Sequence, residues 1–164
     1  MTKYYGDRLL STDLTTGQGV VQLFKANADI FMIAIRTQFI CFNVSTLTLT
    51  GLKASIYTTI GQGTTFSLGR KIADSTNSWN ISQIITQAHG VKEIYFEFAS
   101  PLGLAISGST TYAIALTATS YNGDATKHIA WKKAIYDQGY TQRPSKLMAL
   151  GYAPSNLAII GAPQ

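Results

Sequence analysis

Apolar and polar residues alternate with a period of two along much of this chain, the spacing of a half-buried β-strand. The cleanest case is Glu93-Ile94-Tyr95-Phe96-Glu97-Phe98, which sends Ile94, Phe96 and Phe98 to one face and Glu93, Tyr95 and Glu97 to the other. Other strand signals recur at short intervals. They are Val20 to Phe24, Ile30 to Arg36, Gln38 to Phe42, Leu47 with Leu49, Ala54 to Thr59, Phe66 to Ile72, Thr111 to Thr119, His128 to Trp131 and Lys146 to Tyr152. The Ile30–Phe42 stretch reads as one long strand or two abutting ones. Gly61-Gln62-Gly63, His89-Gly90 and Asn122-Gly123-Asp124 mark turns, the last of the tight-hairpin type. Trp79 to Ile84 reads as a strand or a short helical turn.

The two ends lack such patterning. Residues 1–19 hold Leu9, Leu10 and Leu14 without a sustained period, and predict an extended arm or an edge segment that finds its order against the domain or a neighbouring chain. Residues 153–164 hold Leu157, Ile159 and Ile160, and predict an apolar tail docked on the domain or on a neighbouring chain. Between them, residues 20–152 predict eight or nine strands and no amphipathic helix. The expected fold is all-β: an antiparallel β-sandwich of the jelly-roll kind with an N-terminal arm and a C-terminal tail.

Composition narrows the function classes. At 164 residues the chain suits one domain, large enough to fold without metals or disulfides. Only 13% of residues are charged, about half the usual share, which fits a surface covered by partners. The formal charge of +5 raises nucleic acid as a partner. The basic residues are spread out, however, with one denser stretch at Lys127, Lys132, Lys133, Arg143 and Lys146, so protein partners rank well above it. Cys41 stands alone in an apolar run and predicts a small core residue. No leader-like segment opens the sequence and no apolar run spans a bilayer, so the expectation is a protein made in the cytoplasm with no membrane partner.

From Ile56 to Tyr140 the order of features is specific. It includes Trp79, the Ile94–Phe98 strand, Ser100-Pro101, Gly108-Ser109-Thr110-Thr111-Tyr112-Ala113-Ile114-Ala115-Leu116, then His128-Ile129-Ala130-Trp131 and Tyr136. This resembles the jelly-roll modules termed choice-of-anchor domains, found in bacterial surface proteins and phage virion proteins. The resemblance covers roughly half the chain and implies a fold more than a function. The Asp-Gly-Gly then Trp ending of many such modules is replaced here by Tyr140-Thr141-Gln142-Arg143-Pro144-Ser145, so no ligand site is carried over at that end.

Candidate chemistry is sparse. His89 and His128 lie 39 positions apart with no Cys, Asp or Glu at ligand spacing near both, and no Gly-x-Ser-x-Gly elbow is present. Glu93 and Glu97 stand ~13 Å apart along a strand, beyond the ~5 to 9.5 Å of glycosidase carboxylate pairs. Asn122-Gly123-Asp124 offers Ca²⁺ ligands but reads as a bare turn. No catalytic, metal or cofactor residues are therefore expected. Tyrosine is the surplus, nine in all, and Tyr121, Tyr136, Tyr140 and Tyr152 fall in or near predicted loops as candidate interface or glycan contacts. Trp79 and Trp131 read as core.

These features predict a non-enzymatic virion structural protein of a phage. It would decorate the capsid or serve the tail, contacting other virion proteins and its own copies, with a trimer as one expected form. The alternative is an adhesin module that binds a host surface glycan.

Overall fold

The computed structural model describes residues 6–16, 21–26, 28–61, 67–84, 90–98, 102–132 and 157–164. These residues build an all-β protein of antiparallel sheets. The strands are β1 (Gly6–Arg8), β2 (Val21–Phe24), β3 (Ile30–Phe42), β4 (Leu49–Thr50), β5 (Lys53–Ile60), β6 (Ser67–Asp74), β7 (Val91–Glu97), β8 (Leu104–Ile106), β9 (Tyr112–Thr117), β10 (Ser120–Tyr121), β11 (His128–Lys132) and β12 (Leu157–Pro163). Two short helices join them, α1 (Ser11–Thr16) and α2 (Ile81–Ile84). A four-stranded sheet runs β2-β9-β5-β6, a six-stranded sheet is built around β3, and β10 pairs β4.

β3 is the spine. Its residues are mostly aromatic and β-branched, types that suit a pleated, half-buried surface. It pairs with β7 over Ala34–Ile40 and with β8 over Ile30–Met32. It also pairs with β11 over Phe39–Phe42 and with β12 over Ile30–Thr37. Because these registers overlap, β7 and β8 must lie end to end on one flank, with β11 and β12 end to end on the other. The β12 register shifts between Ile160 and Gly161, which leaves Ile33 as an extra residue on β3. This bulge changes the parity of the strand, so Met32 and Ile35 both reach the core while Ile33 points out. Gly161 is needed opposite it, because a Cβ there would run into the Phe31 carbonyl oxygen.

One hydrophobic cluster takes side chains from both sheets. Phe24, Ile56, Ile114 and Leu116 come from the four-stranded sheet, and Ile35, Phe39, Phe96 and Trp131 from the six-stranded one. Phe39 stacks on Trp131 at 6.1 Å and Phe24 on Tyr112 at 5.8 Å. Ile94, Phe96 and Phe98 are buried while Glu93, Tyr95 and Glu97 are exposed, as the alternation predicts. Cys41 is buried in the same cluster. A second, smaller cluster of Val21, Leu23, Ala113 and Ala115, with Tyr57 and Leu68 against it, occupies the other side of the four-stranded sheet.

Over their described residues both chain ends are ordered on the domain itself. Of the two readings of residues 1–19, the described part takes that of an edge segment rather than a free arm. β1 pairs with β11, α1 follows, and Leu9 and Leu14 are completely buried in the shared core. Their irregular spacing reflects a strand that turns directly into a helix, so neither period is sustained. Residues 157–163 of the predicted tail form β12, and Ile159 is buried in the core. β12 reads Leu-Ala-Ile-Ile-Gly-Ala-Pro, with no polar residue to alternate with the apolar ones, so no period marks it as a strand. The predicted strand Lys146 to Tyr152 lies outside the described residues.

Candidate functional site

Of the four candidate contact tyrosines, Tyr136, Tyr140 and Tyr152 lie outside the described residues. Tyr121 is placed in the interior at 6% exposure. Its hydroxyl donates to the Leu9 carbonyl at 2.6 Å and accepts the Ile129 N–H at 3.0 Å. The residue therefore ties the β1–α1 junction to β10 and β11, and its phenol is committed inside the protein. Gly123 packs so closely on this ring that a Cβ would collide with it.

The Asn122-Gly123-Asp124 stretch is a self-contained turn. Asp124 Oδ1 accepts the Thr126 N–H, the Thr126 hydroxyl and the Lys127 N–H at 2.8 to 3.0 Å. These bonds, the Thr126 hydroxyl foremost, hold its carboxyl below the ordinary value. Asn122 accepts the Thr48 N–H and donates to the Thr46 carbonyl, fastening the turn to the β3–β4 connection. His128 Nδ1 lies 3.0 Å from the Asp124 carbonyl, and its ring rests on Phe42. No group of three or more His, Cys, Asp or Glu that could hold a metal occurs among the described residues.

The exposed chemistry instead gathers in two stripes. The first lies on the outward side of β7 and β3, because Ile94 and Phe96 take the inward side. Tyr95 is 38% exposed there, and its hydroxyl donates to Glu93 Oε2 at 3.3 Å. Gln38 donates to Glu93 Oε1, and Arg36 Nε lies 3.4 Å from that same oxygen as an ion pair without hydrogen-bond geometry. Glu97 stands exposed farther along the strand. The outcome is an aromatic ring flanked by carboxylates, an amide and a guanidinium, a set able to contact a polar partner or a sugar face. Alternation predicts this outward trio from sequence, whereas Arg36 and Gln38 join it only through the β3–β7 register.

The second stripe lies on β5 and β6. Ala54 and Ile56 face the core, so Lys53, Ser55 and Tyr57 face away. Asp74 accepts the Ser55 hydroxyl at 2.5 Å and a Lys71 ammonium proton at 3.1 Å, with Lys53 Nζ at 3.9 Å. The Ser55 bond, with the two lysines, lowers the Asp74 carboxyl despite the opposing effect of partial burial. Nothing in the sequence links Ser55 to Asp74, which become neighbours only through the β5–β6 register.

Residues Ser75–Trp79 bridge the stripes. Leu52 and Trp79 exchange two backbone hydrogen bonds, and Ser75 N–H donates to the Ala54 carbonyl. On the other side the Asn77 amide donates to the Tyr95 carbonyl and accepts the Glu97 N–H, while Trp79 Nε1 also donates to the Tyr95 carbonyl. This segment thus closes part of the free edge of β7, as a neighbouring strand would. Comparison with known protein families, with curated proteins and with solved structures finds no match for this chain.

Proposed function

We propose that this chain is a jelly roll that works by contact and assembly, as a structural component of a phage particle, and that it catalyses no reaction. The observation that carries the proposal is the strand order. Take the six-stranded sheet as β1-β11-β3-β7 and the four-stranded sheet as β2-β9-β5-β6. Following the chain through these eight strands, every step crosses from one sheet to the other except the β5–β6 hairpin. That path, with one core between the sheets, agrees with the double Greek key of jelly rolls, an architecture used by viral capsid and lectin domains. β4, β8, β10 and β12 are additions to it.

The resemblance to choice-of-anchor modules and the low charge of the chain support a virion role, on the capsid surface or as an accessory of the tail. Catalysis finds no support in the arrangement of Asp74 and Glu93. Glu93 is engaged by the Arg36 guanidinium and the Gln38 amide. The Ser55 hydroxyl that donates to Asp74 is buried at 3% exposure, so among the described residues this pair does not present an open nucleophile to a substrate. Electron microscopy of particles from the producing phage, with an antibody or tag on this chain, tests the role. Density at capsid or tail positions is the expected result, and particles that lack the chain would defeat the proposal.

One observation favours a second reading. The exposed Tyr95 ring beside Glu93, Gln38 and Arg36 has the make-up of a sugar-stacking surface. A glycan array separates the two readings: binding abolished by Tyr95→Ala supports the adhesin role, and an array without signal leaves assembly.

A further inference from the structure

Resting on the assembly reading above, we propose that copies of this chain stack head to tail, with the β7–β3 stripe of one copy against the β5–β6 stripe of the next. The two stripes carry opposite charge. Glu93 and Glu97 against Arg36 leave one negative charge, and Lys53 and Lys71 against Asp74 leave one positive charge. They point in opposite directions, since each lies on the side of its sheet turned away from the shared core. They also sit on the same flank of the molecule, because Ser75–Trp79 is hydrogen-bonded to β5 on one side and β7 on the other. A translation along the stacking direction therefore brings one stripe over its complement in the next copy.

Pairing of this surface with itself is disfavoured, because two stripes of net negative charge would then face each other. The second copy thus offers what the first lacks, which makes the contact heterologous. Tyr95, exposed between the two glutamates, supplies the aromatic anchor at the centre. The charges set orientation and partner choice more than affinity. Whether the stack closes into a ring or continues follows from the rotation between successive copies.

Sedimentation of the purified chain against concentration tests the contact. Self-association should weaken when salt rises from about 50 mM to about 500 mM, which shortens the screening length severalfold. The double variant Glu93→Lys with Glu97→Lys should associate at least ~10-fold more weakly, since it sets like charges against each other. Lys53→Glu with Lys71→Glu should do the same. Circular dichroism and a melting curve report whether each variant is folded. Mixing the two variants is the decisive arm, because one then carries two positive stripes and the other two negative ones. Restored association, alternating between the variants, is the expected result. A wild-type chain that stays monomeric, variants that associate as well as wild type, or a mixture of folded variants that does not recover would each overturn the contact. A chain found on particles but unaffected by the variants overturns this inference and leaves the assembly role standing. A chain that is monomeric and absent from particles defeats both.

Discussion

Tyr121 joins three stretches of chain through one hydroxyl, which makes it the residue whose loss is most informative. Tyr121→Phe keeps the ring but removes the donor to Leu9 and the acceptor for the Ile129 N–H. Leaving buried backbone groups without that partner should lower stability by about 1–3 kcal/mol, read as a shift of the urea midpoint. Phe96→Ala, which empties a fully buried site, should cost about 3–5 kcal/mol in the same assay. Of these two roles only that of Phe96 was legible in the sequence. Its burial follows from local alternation with Ile94 and Phe98. Tyr121 stands beside an Asn-Gly turn and therefore reads as a loop residue. Its partner Leu9 is 112 positions away, and no local pattern connects them.

At the scale of elements, the Ser75–Trp79 bridge and the two chain ends show where pattern reading stops. Asn77 imitates a strand residue with its side chain, giving and accepting one hydrogen bond along the β7 edge. Asn77→Ala should destabilise the protein by about 1–2 kcal/mol. It should also speed hydrogen exchange at the Glu97 amide more than at amides of β9, and equal acceleration at both would contradict the local role. The N-terminal segment makes a sharper test. Deleting residues 1–16 removes Leu9 and Leu14, each worth about 1.5–3 kcal/mol when fully buried. A large drop in melting temperature is expected, and a truncated chain that melts like the full one would show those leucines to be dispensable. These ends are strand and helix because of the partners they meet, β11 and β3, and those partners are remote in sequence. The middle strands were legible because each carries its own alternation.

For the whole molecule, acid should be the first pH condition to weaken it. The carboxyls of Asp74 and Asp124 are both lowered in the folded protein from the ordinary 3.8, chiefly by the Ser55 and Thr126 hydroxyls respectively. A lowered carboxyl contributes stability that is fully present above its unfolded value and lost as pH falls through the folded one. The urea midpoint should therefore hold steady above about pH 5 and decline below about pH 4. Asp74→Asn should flatten part of that decline, and a variant with the wild-type slope would remove Asp74 from the account. The all-β character follows from composition and period together, and far-ultraviolet circular dichroism should show a β spectrum without dominant helix. Which strands neighbour which was not legible, since the order in each sheet rests on registers that no local period encodes.

The pairing of β3 has a consequence for synthesis. Its partners range from β7 to β12, so its Ile30 edge meets Pro163 only after more than a hundred intervening residues have been made. On the ribosome, this long and largely apolar strand emerges early and waits with both flanks unsatisfied until β7, β8, β11 and β12 follow. Long-range pairings of this sort slow folding, and an unpaired apolar edge invites association with other nascent chains. Yield of soluble protein should therefore rise when a holding chaperone shields β3 until β12 arrives.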